Sequence, residues 1–392
     1  IILILYCFLA LASACNPFGS RKDCGYSGIT QEQCVAKGCC WAPISNNPNN
    51  LPWCFFENGE APPPTPWQKP ADGLPFNATE VALMKKFFLA NINIDGSGGV
   101  IASPDPDSGP GGDYRFAWMR DSALSMRALM LTNADTSNVE SLMKNYVSWI
   151  GKNQRLAPIH QGIDVRVEPK FNIPQDTIFV PSWCRGQTDG PGLRSGTVAQ
   201  FGLWLIENGQ SDYVDKYLFS TSASNSNTPD AGTVRYDLDW VVNNWASAGC
   251  DLWEEIRSDD FFWNRMAFRH GLLMGAKLAT KMNRNDLATS YTNVAKQIEP
   301  TIKAHWNGKF VYESENRQKD TAVILAFNDG YMGDNFFSPT DPQVAATISV
   351  LSDLFNATFY INQQDTLAGV PGILYGRYEG DNYDGGNPWI LS

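Results

Sequence analysis

The stretch VESLMKNYVSWI, residues 139–150, repeats its apolar side chains with the period of an α-helix. Apolar residues three or four positions apart fall on one face of a helix and leave the charged side chains on the other. The apolar positions are Val139, Leu142, Met143, Tyr146, Val147 and Ile150. The alternation of a half-buried strand is scarce along the chain. The stretch therefore predicts a mainly α protein.

Helical patterns continue on both sides of this stretch. On its N-terminal side, Asn77 is followed three residues later by Glu80, which is the spacing of a capping box at a helix start. Further predicted helices cover residues 195–209, 236–248, 262–282, 285–303 and 341–356. We predict eight or nine helices, joined by long loops rich in glycine, proline and tryptophan. Long loops in a compact helical domain commonly carry functional residues.

Composition and charge narrow the classes of ligand. The 392-residue chain has a net charge of -11 and no run of basic residues, so we expect no nucleic-acid partner. Its 13 tryptophans suit a neutral ligand such as a carbohydrate. His160, His270 and His305 lack the spacing of metal ligands, so we expect no metal and no other cofactor.

The N-terminus has the character of a targeting signal. Residues 1–14, IILILYCFLALASA, form a short apolar run that ends in an A-x-A cleavage pattern. We interpret this run as part of a secretory signal peptide, and no other run is long enough to predict a membrane span. The mature protein is therefore expected to be secreted or delivered to a lysosome or digestive vacuole. Sequons at Asn77 and Asn356 predict N-glycosylation.

The cysteines indicate a small disulfide-stapled module. Of nine cysteines, one lies in the signal and six lie between Cys15 and Cys54. An even, clustered count in a secreted chain is typical of a disulfide scaffold, although spacing alone leaves fifteen pairings open. After this module, residues 61–75 contain the proline-rich run APPPTPWQKPADG, which predicts an extended linker.

Residues 15–60 resemble a trefoil (P-type) domain. The matching residues are Arg21, Asp23-Cys24-Gly25, Gly28-Ile29-Thr30, Gln33-Cys34, Gly38-Cys39-Cys40-Trp41 and Pro52-Trp53-Cys54-Phe55. The resemblance implies the disulfide pairs Cys15–Cys40, Cys24–Cys39 and Cys34–Cys54. It suggests either a contact with a glycan or mucin through Trp53 or the role of a stable spacer.

Two cysteines remain outside this module. Cys184 follows Trp183, and Cys250 lies shortly before Glu254. In an oxidising compartment, parity favours their pairing. We expect a Cys184–Cys250 disulfide that joins these two loops, and the alternative is a pair of buried free thiols.

Four loops combine aromatic rings with fixed charges. They are SPDPDSGPGGDYRFAWMRDSAL (103–124), EPKFNIPQDTIFVPSWCRGQTDGPGLRSG (168–196), AGCDLWEEIRSDDFFW (248–263) and GRYEGDNYDGGNPW (376–389). Sugars stack their C–H faces on aromatic rings and bind carboxylate and guanidinium groups through their hydroxyls. Hydrolysis of a glycosidic bond also needs a proton donor, and Glu254 beside Glu255 meets that requirement. Taken singly, these features more often have a structural explanation: Glu254-Glu255 as a solvated charge pair, Arg120-Asp121 as a helix N-terminus with an ion pair, and Trp118 and Trp183 as core aromatics.

In this order, the four loops resemble the catalytic domain of glucoamylases, glycoside hydrolase family 15, over residues 76–392. The resemblance implies an (α/α)6 barrel that releases glucose from non-reducing ends of starch, glycogen or maltooligosaccharides with inversion. It implies that Glu254 is the general acid and that Glu255 holds hydrogen bonds beside it. The implied sugar-binding residues are Tyr114, Trp118, Arg120, Asp121, Trp183, Arg377, Tyr383 and Trp389.

The C-terminal end departs from the family pattern. The chain ends GGNPWILS, and in the family more of the barrel follows this motif and supplies the general base. We therefore expect an incomplete barrel, a base beyond Ser392, and poor hydrolysis by residues 15–392. The alternatives are a retaining α-glucosidase of another family, such as family 31, whose members often follow a trefoil, and a non-catalytic protein that binds carbohydrate or mucin.

Overall fold

The computed structural model describes residues 21–26, 28–44, 47, 51–56, 76–104, 114–132, 138–220, 232–383 and 385–391. The predicted signal peptide, the predicted linker 61–75 and Cys15 lie outside these ranges. The chain divides into two compact units, which we describe separately. The first comprises residues 1–69 and 360–372, and the second comprises residues 70–359 and 373–392.

The first unit is a small sheet stapled by disulfides. The antiparallel sheet has three strands, β1 (Lys22–Asp23), β2 (Cys40–Trp41) and β3 (Cys54–Phe56), in the order β1-β3-β2. Helix α1 (Gln31–Ala36) lies between β1 and β2 in the chain. Thr30 and Gln33 close a capping box at the start of α1. Disulfides join Cys24 to Cys39 and Cys34 to Cys54, and Cys40 is also disulfide-bonded.

The second unit is built from helices. These are α2 (Ala78–Ala90), α3 (Met119–Thr132), α4 (Val139–Asn153), α5 (Asp189–Glu207), α6 (Ser211–Tyr213, continued by a π-helical turn Val214–Leu218), α7 (Thr233–Asn244), α8 (Phe262–Lys281), α9 (Asn285–Lys303), α10 (Ala322–Gly330) and α11 (Pro342–Thr358). A further helix, α12 (Tyr360–Ala368), belongs to the first unit. From residue 76 onward, the described residues hold eleven α-helices, more than the eight or nine predicted, because α10 and α12 are short and α6 is a single turn.

Short strands connect the helices of the second unit. Strands β4 (Phe116–Trp118), β5 (Lys170–Asn172) and β6 (Thr177–Ile178) form an antiparallel sheet in chain order. Strands β7 (Gly249–Cys250) and β8 (Arg257–Ser258) form a hairpin. Strand β4 leads directly into α3, and β8 ends four residues before the start of α8.

The apolar face predicted for α4 is buried. Met143, Tyr146, Val147 and Ile150 are at most 1% exposed, and they belong to the main hydrophobic core. The prediction of a mainly helical protein is therefore confirmed by the structure.

Close contact between α5 and α8 explains an error in a helix boundary. We predicted a helix from residue 195, but α5 begins at Asp189 and includes Gly190, Pro191 and Gly192 in its first turns. A Cβ added at Gly192 would lie 2.8 Å from the main-chain oxygen of Ala267, so the two helices pack backbone to backbone. Tertiary packing here outweighs the low helix propensity of glycine, and proline is tolerated in a first helical turn.

Two surface predictions can be placed on this fold. Asn77 is exposed at the start of α2, where its side chain accepts a hydrogen bond from the Glu80 N–H, whereas Asn356 is half-buried in α11. Glycosylation of both remains a prediction. Of the helices in the described ranges, none alone has the length and apolar character to cross a bilayer, and only α11 and α12 taken together meet those criteria.

Candidate active site

A cavity of about 820 Å³ lies among the four loops. All ten residues predicted for catalysis or sugar binding line it: Tyr114, Trp118, Arg120, Asp121, Trp183, Glu254, Glu255, Arg377, Tyr383 and Trp389. Its wall also includes Ala102, Cys184, Leu252, Trp253 and Leu391. A cavity of this size with a few converging polar groups is typical of a small-molecule site.

The β7–β8 hairpin presents the two glutamates. In its six-residue loop, Asp251 Oδ1 accepts hydrogen bonds from the main-chain N–H groups of Glu255 at 2.7 Å and Ile256 at 2.9 Å. Glu254 adopts a left-handed backbone conformation with φ of 67°, which is uncommon for a residue with a side chain. The side chain of Asp251 therefore stabilises a loop conformation that Glu254 alone would not favour.

The carboxylate of Glu254 is held by two donors from other loops. Its Oε1 accepts a hydrogen bond from Trp118 Nε1 at 2.8 Å and another from Gln187 Nε2 at 2.5 Å. Trp118 is the last residue of β4, and Gln187 lies two residues before α5. Three loops thus converge on one oxygen atom.

Gln187 is a site residue that the sequence analysis missed. Its Oε1 accepts hydrogen bonds from Arg120 Nη1 at 3.0 Å and Nη2 at 3.1 Å, while its amide nitrogen donates to Glu254. A neutral glutamine gives no charge signal, although it stands within the quoted loop 168–196. It was assigned no role there.

Arg120 binds protein groups as well as lining the cavity. Nη1 donates to Asp189 Oδ2 at 2.7 Å, and Nη2 donates to the main-chain oxygen of Leu252 at 2.6 Å. Arg120 thereby links α3, α5 and the hairpin. Its predicted contact with sugar hydroxyls remains a prediction.

Burial raises the pKa of a carboxyl group and of a phenol group beside Arg120 and Glu254. Burial raises the pKa of Asp121, and the adjacent Arg120 opposes this shift. Burial and the hydrogen bond to Tyr383 raise the pKa of Tyr114 to about 12. The two phenol oxygens lie 3.1 Å apart, and the Tyr114 ring stacks on Trp118 with centroids 5.9 Å apart.

Trp183 lies next to Trp118 on the aromatic side of the cavity. Their ring centroids are 6.1 Å apart in an edge-to-face arrangement. Its indole nitrogen is buried and has no hydrogen-bond acceptor among the residues that the structure describes. This N–H is a donor that a ligand hydroxyl could satisfy.

Glu255 is held by two arginines. Its Oε1 accepts from Arg377 Nη1 at 2.8 Å, and its Oε2 accepts from Arg317 Nη2 at 2.8 Å and from the Tyr378 hydroxyl. Arg377 also forms a bidentate pair with Asp381, at 2.6 and 3.0 Å. Such an arrangement fixes Glu255 as a hydrogen-bond acceptor facing the cavity.

Asp381 organises the C-terminal rim of the cavity. Its carboxylate accepts the main-chain N–H groups of Tyr383 at 3.0 Å and Trp389 at 2.9 Å. The rings of these two residues meet at 70° with centroids 5.5 Å apart. The one carboxylate thus links Arg377 to both aromatic rim residues.

A disulfide joins Cys184 and Cys250, as the parity of the cysteines led us to expect. It connects the Trp183 loop to the hairpin that carries Glu254, and Cys250 is 1% exposed. The main-chain N–H of Cys250 also donates to the Gly186 oxygen at 3.0 Å. Covalent and hydrogen bonds therefore fix the two loops side by side.

The variant Cys184→Ala/Cys250→Ala is expected to lose about 2 to 4 kcal/mol of unfolding free energy. The bond joins residues 66 positions apart, and its loss frees that loop in the unfolded chain. Urea unfolding followed by fluorescence measures the difference and leaves the trefoil disulfides intact. A loss below about 0.5 kcal/mol would contradict a stabilising role.

Two buried carboxyl groups lie behind the hairpin. Asp320 is 1% exposed and accepts the indole N–H of Trp253 on both oxygens, at 2.9 and 3.0 Å. Burial raises the pKa of Asp320 to about 7. Burial, reinforced by the charge of Asp320, raises the pKa of Glu313 well above its usual range.

Asp320 should make the protein more stable as the pH falls from 7 to 5. Because its pKa is higher in the folded protein than in the unfolded chain, the folded state binds the extra proton in this window, and this single group should contribute about 2 kcal/mol. The pH dependence of unfolding in urea measures the effect. Asp320→Asn should flatten the profile, whereas the exposed Glu315→Gln in the same segment should leave it unchanged; equal profiles for all three proteins would contradict the prediction.

Known sequences resemble this chain in both the helical unit and the trefoil module. Residues 84–392 match the sequence family described as glycosyl hydrolases family 15, and residues 15–57 match the trefoil (P-type) domain. A glucoamylase of Blastobotrys adeninivorans is 31% identical over 352 residues, covering 84% of this chain and 54% of that protein. Glucoamylase-1 of Schizophyllum commune is 33% identical over 339 residues, covering 80% and 54%. The chain thus spans about half the length of these curated relatives.

Solved structures agree with the sequence matches. The glucoamylase of Hormoconis resinae superimposes with a TM-score of 0.68 at 28% identity, covering 80% of this chain and 53% of that chain. The Hypocrea jecorina glucoamylase gives 0.67 at 28% identity with the same coverage. These structures support the (α/α)6 barrel expected for the helical unit.

Proposed function

This chain belongs to family 15 of the glycosyl hydrolases, and we propose that it releases glucose from the non-reducing ends of starch, glycogen or maltooligosaccharides. The observation that carries the proposal is the position of Glu254. Its carboxylate lies in the cavity, bound to Trp118 and Gln187 and surrounded by the residues that the family resemblance assigns to sugar binding. Membership of family 15 also favours this proposal over the alternative of a retaining α-glucosidase of family 31.

In the proposed mechanism, Glu254 is the general acid. Cleavage of a glycosidic bond requires a proton on the leaving oxygen. Since Glu254 Oε1 already accepts two hydrogen bonds, the proton to be donated resides on Oε2. The stacked rings of Tyr114 and Trp118 offer their faces to the positive charge that develops on the sugar.

Glu255 serves binding rather than proton transfer. Its Oε1 accepts a hydrogen bond from Arg377, and its Oε2 accepts one from Arg317. These bonds fix Glu255 as an acceptor that either binds a sugar hydroxyl itself or holds Arg377 in place to bind one. Asp121 and Arg120 supply further polar groups in the proposed sugar site. Such paired polar groups give a pocket its preference for one hydroxyl pattern.

We propose inversion at the anomeric carbon. That outcome requires a general base about 6.5–9.5 Å from the acid, on the opposite face of the sugar. Within the described part of the cavity wall, the other carboxyl groups belong to Asp121 and Glu255, and we assign the base to neither.

Product analysis tests the proposal. The protein, with any residues that follow Ser392 in its gene, is incubated with maltoheptaose, and the products are followed by chromatography and proton NMR. Glucose as the sole early product, appearing first as the β-anomer, supports it. Early α-glucose would favour a retaining enzyme, and binding of maltose without turnover would favour a non-catalytic carbohydrate-binding protein.

The trefoil adds a second proposed contact. Trp53 is 45% exposed and meets Trp41 edge-to-face with ring centroids 6.1 Å apart, so it offers an aromatic surface to a glycan or mucin. With the expected signal peptide, this favours a secreted, lysosomal or vacuolar location. Adsorption of the whole chain to immobilised mucin, compared with Trp53→Ala, tests the contact; equal adsorption would exclude Trp53.

A further inference from the structure

Lys170 lies in a cage of aromatic rings behind the cavity wall. Its Nζ atom is 4.1 Å from the ring centroid of Phe116, 4.3 Å from Trp118, 4.1 Å from Phe179 and 4.0 Å from Trp183. The residue is only 4% exposed. Cation–π attraction is strongest when the ammonium is removed from water, as it is here.

The short sheet builds this cage. Lys170 begins β5 and lies opposite Trp118 of β4 in the antiparallel register. Phe179 follows β6 directly, and its main-chain N–H donates to the Lys170 oxygen at 3.1 Å. Trp183 packs its edge against Phe179, with centroids 5.6 Å apart. The ammonium is therefore placed by the backbone, with rings from three successive segments around it.

Two of the four rings belong to the candidate active site. Trp118 and Trp183 both line the cavity, and Trp118 Nε1 donates to Glu254 Oε1 at 2.8 Å. Lys170 itself is absent from the described cavity wall. In the contacts described above, the indole of Trp118 links Lys170 to Glu254.

We propose that Lys170 is a positioning residue for the general acid, because its caged ammonium fixes the Trp118 indole and strengthens the hydrogen bond to Glu254. A cation over an indole face withdraws electron density from the ring and makes the N–H a better donor. The same contacts hold Trp118 at a fixed angle to Trp183. The hydrogen-bond part of this inference is independent of the proposed function, whereas its catalytic consequence rests on it.

The indole N–H of Trp118 provides a direct test by NMR. Trp118→Phe assigns its signal in the ¹⁵N-indole spectrum. In Lys170→Met, which keeps the length of the side chain but not its charge, we expect hydrogen exchange at Trp118 to become at least about tenfold faster. Lys170→Arg retains a cation for the rings, so exchange should stay within about threefold of the wild type.

Trp263 provides the matched control inside the same protein. Its indole N–H also donates to a buried carboxylate, Asp189, at 2.8 Å, but it lies outside the cage. If exchange at Trp118 and Trp263 accelerates equally, Lys170 merely supports global stability and the proposal is overturned. Failure of both Lys170→Met and Lys170→Gln to fold while Lys170→Arg folds would also overturn it, by assigning Lys170 to the fold alone.

Kinetics give a second readout. On maltotriose, Lys170→Met should lower kcat at least about tenfold while KM changes by less than about threefold, because the acid is misplaced and the sugar contacts remain. An unchanged kcat would overturn the catalytic consequence. Absence of turnover by the wild-type protein, assayed with any residues that follow Ser392 in its gene, would instead count against the proposed function, and the exchange experiment would still decide the role of Lys170.

Discussion

Glu254→Gln is expected to lower the rate of glucose release by about 10³-fold. The amide oxygen of glutamine can still accept the hydrogen bond of the Trp118 indole, so the side chain should keep its place in the cavity. It has no acidic proton to give to the leaving oxygen. Maltose affinity, measured by calorimetry, should therefore change little while turnover of maltoheptaose is lost.

Glu379→Gln is the matched control for this change. Glu379 is exposed and forms a surface pair with Lys319 at 2.7 Å, so the same loss of one charge should leave turnover unaffected. If Glu254→Gln keeps more than about a tenth of the wild-type rate, another group donates the proton and the proposed mechanism is wrong.

Arg317→Met is expected to cost about 3 to 5 kcal/mol of unfolding free energy. Arg317 Nη1 pairs with Asp251 Oδ2 at 2.6 Å, and Nη2 pairs with Glu255 Oε2 at 2.8 Å. Asp251 is only 2% exposed, so the variant leaves a buried carboxylate without its cation. The guanidinium also lies 3.7 Å from the ring centroid of Tyr378, and this contact is lost too.

Lys319→Met separates this effect from the simple loss of a positive charge. Lys319 is two residues away, but both partners of its ion pair are substantially exposed, so its loss should cost less than about 1 kcal/mol. Urea unfolding of both variants measures the difference. Similar losses for the two variants would show that the buried pairing with Asp251 is not a main source of stability.

The sequence was informative where side-chain type signals chemistry. The ten predicted cavity residues are acidic, basic or aromatic and stand in four loops with a distinctive order, and all ten line one cavity. Gln187, by contrast, is neutral and was missed, although it bonds to both Arg120 and Glu254. The role of Gln187 depends on which groups the fold brings to the oxygen and the nitrogen of its side-chain amide.

Other features depend on tertiary structure in the same way. Arg317 and Asp320 stand outside the four loops, and only the folded chain brings them behind the hairpin. Lys170 was within a quoted loop, but a lysine in sequence gives no sign that four rings will surround it. The start of α5 was misplaced because its glycines are selected for close packing rather than for helix propensity.

The hydrogen bonds of the cavity join parts of the chain that are far apart in sequence. Trp118 and Glu254 are 136 residues apart, Glu255 and Arg377 are 122 apart, and Tyr114 and Tyr383 are 269 apart. Contacts between residues so far apart in sequence require the closure of long loops, and this loss of entropy slows folding. During synthesis on the ribosome, Glu255 would emerge long before Arg377, so a nascent chain would carry Glu255 without this partner. Sugar binding would therefore report completion of folding.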